Sequence, residues 1–347
     1  MTGVPGEPTI RSVAERAGVS KSLVSLVLRG SRSVSDEKRQ AVLKAIKELG
    51  YRPNAAARIL SERRTRVVGV LMDDLRNPWY VDCLDGLNSV LHAGGLTMLL
   101  GDGRLDRRAD HRLLHTFMDM RVAGLVLVGT MPPSAAIIEA ISRLPAVVVV
   151  GSRDFDLPHV DVSAQDDRLG AELAVRHLVE LGHRGIGHVG GDQAAVSEIR
   201  RRAYEDTLEE CGLGDEVAVE TCDLTEEGGY HAGIRLLSAR RRPTAIFAIN
   251  DVACVGVMSA AAELGLTVPR DLSLVGYDNT HLSRLRHLWL TSVDIASWDV
   301  GRRAAELLMQ RIDEPTRDAV EYLATPTLVV RGSSVPPTVD SRAGEHG

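Results

Sequence analysis

Lysine is missing from most of the chain. The sequence has Lys21, Lys38, Lys44 and Lys47, and none in the 300 residues that follow. P-loop nucleotide sites and Schiff-base enzymes each require a lysine, so this long remainder can form neither. The chain also has no G-x-S-x-G motif, which excludes the nucleophile elbow of the serine hydrolases. No catalytic residue is assigned, and an enzyme is not expected.

Long apolar runs and paired cysteines are absent as well. No run approaches the roughly 20 apolar residues that span a bilayer, so no membrane partner is expected. The opening residues, MTGVPGEPTI, lack the basic and apolar pattern of a secretion signal. The four cysteines lie far apart and form no CxxC. We therefore expect a cytoplasmic protein with free thiols and with no cofactor or metal.

The charges of the chain are unevenly divided, although its formal net charge is only −6. Residues 1–66 hold 14 Lys and Arg against 6 Asp and Glu, whereas the remainder holds 27 against 41. A small basic segment joined to a large acidic one indicates a module that binds a polyanion, attached to a separate body. The length of 347 residues agrees with two or three domains.

The basic segment predicts three short helices. Thr9 can cap the first helix, Gly18 permits the turn that ends it, and Ser20 can cap the second. The third, SDEKRQAVLKAIKELG, begins with an acidic turn and ends at Gly50. Apolar side chains recur at helical spacing in all three helices, so together they can close a small core.

The first two helices and their turn are typical of a helix-turn-helix, whose second helix enters the major groove of DNA. Its outward side is expected to carry Lys21, Ser22, Ser25 and Leu26. Lys21 and Ser22 can donate hydrogen bonds to bases or phosphates, whereas Leu26 offers only apolar contact, as with a thymine methyl group. A solvated helical bundle is the alternative, but it leaves the basic bias unexplained.

From Arg66 onward, short apolar runs alternate with helical segments. This alternation predicts two α/β units with mainly parallel sheets. The predicted strands are RVVGVLMDD, LTMLLGDG, VAGLVLVGT and AVVVVGS, followed by GIGHVGG, EVAVETCDL, TAIFAIN and LSLVGYDN.

Two patterns in this region imitate ligand motifs. The glycines of GIGHVG, residues 185–190, match GxGxxG, but they span a predicted strand, whereas a dinucleotide loop follows a strand and opens a helix. His111 and His115 have the helical spacing of metal ligands, yet no third ligand is evident. We therefore assign neither a nucleotide nor a metal site.

A binding cleft has better support, because ligands of open α/β sheets bind at the carboxyl ends of the strands. Asp and Asn there can bond ligand hydroxyls, and an aromatic ring can cover the apolar face of a sugar. Asp and Asn are also frequent in turns and caps, and Asp251 is expected to cap the helix DVACVGV. The candidates at the carboxyl ends of predicted strands, or in the loops after them, are Asp74, Asn77, Trp79, Tyr80, Asn250 and Asp278.

Residues 9–71 place the helix-turn-helix, the third helix and the motif YRPNAAAR in a fixed register. In this they resemble the head and hinge of the LacI/GalR family of bacterial transcription regulators, and the resemblance extends through nearly the whole chain. At the position of Leu26 the family often has a polar or cationic side chain, so the operator is expected to differ from common family sites.

The resemblance implies a domain order as well as a fold. A small all-α head is expected at 9–52, a hinge helix and linker at 53–65, and an effector-binding and dimerisation core at 66–334. The core is expected to have two parallel-sheet lobes like those of periplasmic binding proteins, with chain crossovers near residues 164, 292 and 325. Flexible tails are expected at 1–8 and 335–347.

The hinge explains how the two parts could communicate. Asn54 to Leu60 is too short for a stable isolated helix, so it should fold only when something orders it. The resemblance implies that paired hinge helices of a dimer enter the minor groove, where Leu60 acts as a wedge that kinks the duplex. Asn54, Ala57 and Arg58 are the other hinge residues assigned to DNA.

The resemblance also identifies residues of the effector site. Arg200 aligns with the effector-binding arginine of the family, Asn250 with its ligand-facing asparagine, and Asp278 with its ligand-facing aspartate. With Asp74, Asn77, Trp79 and Tyr80 they form the predicted site.

These observations predict a homodimeric, ligand-responsive transcription repressor that binds a palindromic operator in double-stranded DNA. The effector is expected to be a sugar or a related small polar metabolite. Two alternatives stay open: an enzyme fused to a DNA-binding head, and a regulator controlled by a protein corepressor with a closed or vestigial cleft. The polar cleft favours a small molecule.

Overall fold

The computed structural model describes residues 8–28, 31, 33–51, 65–108, 111–131, 134–153, 159–191 and 195–338. These residues form two compact units, which meet in the sequence between Thr65 and Arg66. The first is named the head and the second the core. The hinge residues Asn54, Ala57, Arg58 and Leu60 lie outside the described residues, so their contacts with DNA stay a prediction.

The head contains the three predicted helices, α1 (Ile10–Ala17), α2 (Lys21–Leu28) and α3 (Asp36–Leu49). Thr9 caps α1 as expected, because its Oγ1 accepts from the amide of Ser12 at 3.3 Å while its own amide donates to Ser12 Oγ at 2.8 Å. This reciprocal pair satisfies two amides at the helix start that would otherwise lack partners.

The head folds around apolar side chains at helical spacing. Val13, Val24 and Val42, one from each helix, are fully buried against one another. Gly18 ends α1 with φ of 66° and Gly50 ends α3 with φ of 61°, a left-handed conformation that costs glycine little. The turn after Gly18 is what allows α2 to lie across α1 as the second helix of a helix-turn-helix.

The core contains twelve described strands and nine described helices. The strands are β1 (Val67–Met72), β2 (Thr97–Asp102), β3 (Gly124–Val128), β4 (Val147–Val150), β5 (Asp161–Gln165), β6 (Ile186–Gly191), β7 (Ala218–Cys222), β8 (Ala245–Ala248), β9 (Ser273–Tyr277), β10 (Thr291–Asp294), β11 (Glu321–Ala324) and β12 (Thr327–Val329). The helices are α4 (Trp79–Ala93), α5 (Gly103–Arg108), α6 (Arg112–Asp119), α7 (Ala135–Arg143), α8 (Asp167–Glu180), α9 (Ala195–Glu210), α10 (Glu226–Leu237), α11 (Asp251–Glu263) and α12 (Ser297–Asp313). Within the described ranges, no helix is both long enough and apolar enough to cross a membrane.

The strands form two sheets with the same order, which confirms the predicted fold class. The first lobe has the order β11-β5-β4-β3-β1-β2 and is parallel throughout. The second lobe has the order β12-β10-β9-β8-β6-β7 and is parallel except for β12, which pairs antiparallel to β10. Helices cover both faces of each sheet, so the central strands are apolar on both sides.

All eight strands that the sequence predicts are present. The structure contains four further strands that the sequence analysis did not predict. The four are β5, β10, β11 and β12, with the sequences DVSAQ, TSVD, EYLA and TLV. Each is short, and none contains an apolar run like VVVV of β4. They lie next to the crossings between the lobes, and two of them, β5 and β10, are largely buried although they contain no apolar run.

The chain crosses between the lobes close to the three expected positions. It leaves the first lobe after β5, since α8 packs against β8, β9 and β10 of the second lobe. It returns after β10, since α12 packs against α4 and against the first sheet. The last crossing joins β11 to β12 at residues 325–326.

The end of the described chain departs from the expected tail at 335–347. The amide of Val335 donates to Ser273 Oγ at 3.0 Å, and its carbonyl accepts from that hydroxyl at 2.9 Å. A ring nitrogen of His183 lies 2.9 Å from the same carbonyl. Val335 is therefore fixed to the second lobe, and the tail assignment is wrong for this residue.

A buried ion cluster joins α12 and the segment after it to β5. Asp161 is fully buried. Its carboxylate accepts hydrogen bonds from Nη2 of Arg311 at 2.8 Å, from Nη2 of Arg317 at 2.6 Å and from the amide of Val320 at 2.8 Å. A buried charge of this kind is costly unless it is paired, so each partner depends on the other. The cluster holds the returning chain next to the first sheet.

Asp161→Ala should lower the free energy of unfolding of the core by about 3–5 kcal/mol, because it leaves Arg311 buried without its partner. Urea unfolding followed by tryptophan fluorescence measures the core alone, since all three tryptophans lie there. The control is Arg143→Ala, which breaks an exposed pair with Glu139 and should cost less than about 1 kcal/mol. Equal destabilisation of the two variants would contradict the prediction.

Candidate functional site

The first candidate site is the outward side of α2. Lys21 and Ser22, on its first turn, are exposed, whereas Ser25 and Leu26 are partly covered. Val24 and Val27 face the head core. Ser20 Oγ accepts from the amide of Leu23 at 3.2 Å, which confirms the expected cap. The helix thus presents a cation and a hydroxyl at its amino end, where a helix-turn-helix contacts base edges.

The head offers cations on other surfaces too. Arg11, Lys38, Lys44 and Lys47 are exposed. The ion pairs that they form with other described residues of the head are exposed too, such as that of Lys44 with Glu48 at 4.0 Å. Exposed pairs of this kind contribute little, so these cations can exchange their partners for phosphates.

The second candidate site is a chamber between the two lobes of the core, with a volume of about 90 Å³. It lies at the carboxyl ends of strands from both sheets, where open α/β folds bind ligands. We name it the inner chamber. Its lining consists of Asp73, Asn77, Trp79, Tyr80, Gly129, Thr130, Gly151, Gln165, Val196, Ser197, Arg200, Leu224, Ile249, Asn250, Asp278 and Ile295.

A wider cavity of about 290 Å³ adjoins the inner chamber and shares Asp73, Asn77, Tyr80 and Leu224 with it. We name it the vestibule. Of the seven predicted effector residues, six line the inner chamber, whereas Asp74 lines only the vestibule. The carboxylate of Asp74 already has a hydrogen-bond partner there, because its Oδ1 accepts from Nε of Arg76 at 2.9 Å.

Trp79 and Tyr80 reach the inner chamber because they open α4. Two glycines leave room for their rings. A Cβ at Gly129 would collide with the hydroxyl of Tyr80, and a Cβ at Gly151 would lie 2.8 Å from the ring of Trp79. Both glycines follow strands of the first sheet and have positive φ. The indole Nε1 of Trp79 is buried and has no hydrogen-bond partner among the described residues.

Arg200 is buried and held from several directions. Its Nε and Nη2 lie 2.8 and 2.7 Å from Oδ1 of Asp167, and its Nη1 donates to the carbonyl of Ile249 at 2.7 Å. The guanidinium lies 3.7 Å from the ring centre of Tyr277, which covers one of its faces. Sequence reasoning found Arg200 but not Asp167, because a pairing over this sequence distance leaves no local signal.

Asn250 lines the inner chamber and also caps α11. Its Oδ1 accepts from the amide of Ala253 at 2.7 Å, and its Nδ2 donates to the carbonyl of Leu224 at 3.2 Å. The expectation that Asp251 caps this helix is wrong by one residue, because Asn250 has the extended backbone of a cap and Asp251 is already helical.

Asp251 instead fixes the loop after β9. Its carboxylate accepts from the amide of Thr280 at 2.7 Å, from the Thr280 hydroxyl at 2.8 Å and from Ser292 Oγ at 2.6 Å. Burial raises the pKa of Asp251 to about 6, although these hydrogen bonds oppose the rise. The loop that it fixes begins with Asp278, so Asp251 helps to position a predicted effector residue.

Asp278 has φ of 91° and is buried beside Arg200, whose Nη1 lies 3.9 Å from its Oδ1. Burial raises the pKa of Asp278 to about 7, and the nearby charges of Asp251 and Asp167 add to the rise. Arg200 and a hydrogen bond from the Asn77 side chain oppose it. Since Asn77 belongs to the first lobe, this bond joins the two walls of the inner chamber.

Two further residues with free polar atoms line the chamber, and the sequence did not point to them. Gln165 Oε1 and Ser197 Oγ are buried without a hydrogen-bond partner in the described structure. Ser197 precedes Arg200 by three residues on α9, so the helical period could have indicated it. Gln165 ends β5, which was not recognised as a strand.

The structure also places the two patterns that imitate ligand motifs. Gly187 and Gly190 of GIGHVG lie on β6 and Gly185 directly precedes this strand, so the motif does not open a helix. Across the described ranges, no group of three or more His, Cys, Asp or Glu side chains could hold a metal ion.

Comparisons with known proteins match both units. The profile of bacterial regulatory proteins of the lacI family matches residues 9–54, and that of a periplasmic binding protein-like domain matches residues 175–334. The chain is 34% identical over 333 residues to the HTH-type transcriptional repressor PurR of Erwinia tasmaniensis, covering 94% of this chain and 96% of the relative. It is 33% identical over 328 residues to the Ribose operon repressor of Haemophilus influenzae, covering 94% and 98%.

A solved structure agrees with these relatives. The lac repressor dimer bound to operator and the anti-inducer ONPF matches with a TM-score of 0.83 at 25% identity, covering 94% of this chain and 99% of that one. The protein described here belongs to the lacI family of bacterial regulatory proteins. It is a ligand-responsive, DNA-binding transcription regulator and not an enzyme, as the sequence predicts.

Asp278→Asn should make the core more stable at pH 8 and leave it little changed near pH 4. Because the pKa of Asp278 rises from 3.8 to about 7 on folding, the native state holds a proton there that the unfolded chain releases. Stability from this group is therefore lost as pH rises from about 4 to 7. Asparagine stays neutral and tolerates positive φ.

Thermal unfolding by tryptophan fluorescence from pH 5 to pH 8 measures this effect. The melting temperature of Asp278→Asn should exceed that of the native protein by a few degrees at pH 8, with a gap that narrows toward pH 5. Asp85→Asn removes an exposed carboxyl on α4 and is the control, with no such trend expected. A gap that is constant with pH would contradict the prediction.

Proposed function

We propose that this regulator acts in the cytoplasm as a homodimeric repressor that binds a palindromic operator and responds to a sugar or a related small polar metabolite. The inner chamber carries the proposal, because polar and aromatic side chains from both lobes converge on it at the strand ends. Two similar proteins support it: one relative is a ribose operon repressor, and the lac repressor was solved as a dimer on its operator.

DNA reading is assigned to α2 and to the hinge. Lys21 and Ser22 would contact base edges or phosphates, with Ser25 and Leu26 one turn further along. Two heads related by a two-fold axis would read two half-sites, which makes the operator palindromic. In the hinge, Leu60 would insert into the minor groove beside Asn54, Ala57 and Arg58.

Effector control is assigned to the closure of the two lobes. A ligand in the inner chamber touches Trp79 and Tyr80 of the first lobe and Arg200, Asn250 and Asp278 of the second. Such a ligand shifts the equilibrium between open and closed lobes by the difference of its affinities for the two states. Lobe closure would alter the spacing of the two hinges in the dimer, and so the fit to the operator.

Lys21→Ala and Ser22→Ala should change the base preference at a few operator positions, by about 1–3 kcal/mol for each good hydrogen-bonded pair with a base that the substitution removes. Binding to a library of randomised operators measures the preference. Lys44→Ala removes an exposed lysine of α3 and should weaken binding without altering the preference, because it affects only phosphate contacts. If α2 does not read bases, all three variants will share the native preference.

Leu60→Ala and Arg200→Ala should separate the two functions. Without the wedge, the dimer should bend DNA less and bind its operator more weakly, yet keep its effector affinity in the absence of DNA. Arg200→Ala should keep basal operator binding and weaken the ligand response. The measurements are operator binding and DNA bending by both variants, each with and without a confirmed ligand. Normal bending by Leu60→Ala would refute the wedge, and a normal response by Arg200→Ala would refute the effector site.

A further inference from the structure

We propose that Asp167 makes the inner chamber selective for uncharged ligands, because it holds Arg200 in an internal ion pair and orients the amide of Gln165. This inference rests on the proposed ligand-binding function of the chamber and goes further, since it names a residue that sets the charge of the ligand. Asp167 does not line the chamber itself but lies directly behind Arg200 and Gln165.

The ion pair is satisfied by groups of the protein itself. Asp167 Oδ1 receives both Nε and Nη2 of Arg200, at 2.8 and 2.7 Å, and both residues are 7% exposed or less. The carbonyl of Ile249 accepts a hydrogen bond from Nη1 of Arg200, and the ring of Tyr277 covers one face of the guanidinium. An anion would have to compete with a buried carboxylate for a cation whose charge is already matched.

Asp167 is itself fixed in place. Its Oδ1 also accepts from the hydroxyl of Tyr277 at 3.2 Å, and its Oδ2 accepts from Nε2 of Gln165 at 3.1 Å. Tyr277 packs against Gly170 one turn later on α8, so closely that a Cβ there would collide with its hydroxyl. The carboxylate therefore cannot turn away from Arg200 without breaking other contacts.

Arg200 is the one cation in the described lining of the chamber. The carboxyl groups in that lining belong to Asp73 and Asp278. Arg107 lies 2.7 Å from Asp73 but lines only the vestibule, and its charge is matched by that carboxylate. A buried charge is tolerated when it is paired, and an anionic ligand would meet no unmatched cation in this lining.

The free polar atoms of the chamber also suit a hydroxyl better than a phosphate. A carboxylate accepts hydrogen bonds only, so Asp167 forces the amide nitrogen of Gln165 toward itself and leaves Oε1 as a free acceptor. Trp79 Nε1 is a donor without a partner among the described residues, and Ser197 Oγ can either donate or accept a hydrogen bond. Ligand hydroxyls donate and accept, so they can satisfy all three atoms, whereas an ionised phosphate would leave Gln165 Oε1 unpaired.

Asp167→Asn tests the proposal with inorganic phosphate as the probe. The substitution removes the charge that matches Arg200 and keeps the shape. Thermal unfolding of the full chain, followed by tryptophan fluorescence, is compared in phosphate and in chloride at equal ionic strength. We expect Asp167→Asn to bind phosphate about tenfold or more tightly than the native protein, the effect of one additional charged hydrogen bond. The double variant Asp167→Asn/Arg200→Met should show no such increase.

The matched control is Glu198→Gln, on the same helix as Arg200. Glu198 pairs with Arg201 and Arg202, but these groups are exposed and already solvated. Its removal should create no phosphate dependence of the melting temperature. If phosphate stabilises the native protein as strongly as Asp167→Asn, or if Asp167→Asn binds phosphate no better than the native protein, the proposal is wrong. A variant that folds only in phosphate supports it.

A second measurement uses the native protein and does not depend on the folding of a variant. Matched ligand pairs are ribose with ribose 5-phosphate, glucose with glucose 6-phosphate, and adenosine with its monophosphate, tested by calorimetry. In any pair that binds, the neutral member should bind about tenfold or more tightly. A tighter anionic member, with binding that Arg200→Met abolishes, would overturn the proposal.

The two measurements separate this inference from the proposed function. If no member of any pair binds the native protein, the proposed effector class is refuted. The comparison of phosphate binding by Asp167→Asn and the native protein still decides whether Asp167 controls the charge that the chamber accepts. If neutral ligands bind but Asp167→Asn shows no increased affinity for phosphate, the effector role stands and the role of Asp167 is refuted.

Discussion

The parallel order of the strands governs the core of this regulator. In a parallel sheet every strand ends at the same edge, so residues far apart in the sequence come together there. The two lobes repeat one strand order, and the inner chamber lies at the strand ends of both sheets. A molecule bound there touches both lobes at once. The proposed control of DNA binding depends on this single geometric fact, because a ligand held by one lobe alone could not influence closure.

Much of the fold and part of the site could be predicted from the sequence, for physical reasons that can be named. Apolar runs mark central strands, and polar residues after a strand mark its loop, which is how Asn77, Trp79 and Asp278 were found. The strand DVSAQ carries no such run, so Gln165 was missed. The pairing of Asp167 with Arg200 arises from packing between helices and has no local pattern. The cap of α11 was misplaced by one residue, since Asn250 and Asp251 are both good caps and only the backbone angles distinguish them.

The buried charges show how the core balances stability and function. Asp161 with Arg311, and Asp167 with Arg200, are pairs whose partners satisfy each other. Asp278 is different, because its burial is only partly compensated and its pKa rises to about 7. A carboxyl held in this way weakens the fold at neutral pH, a cost that binding sites commonly bear. Arginine suits the buried pairs because its planar group donates in several fixed directions and keeps its charge.

The confinement of lysine to the head has a practical consequence. Lys21, Lys38, Lys44 and Lys47 are all exposed, and the core contains no lysine. Side-chain amines are the groups that acylating dyes, aldehyde crosslinkers and acetyl transfer modify. Any such reaction would therefore attach to the DNA-binding unit and leave the side chains of the ligand-binding core untouched. A fluorophore introduced through lysine would report on the head, while the tryptophans report on the core, where Trp79 lines the chamber. The two halves of the switch can therefore be observed separately in one unmutated protein.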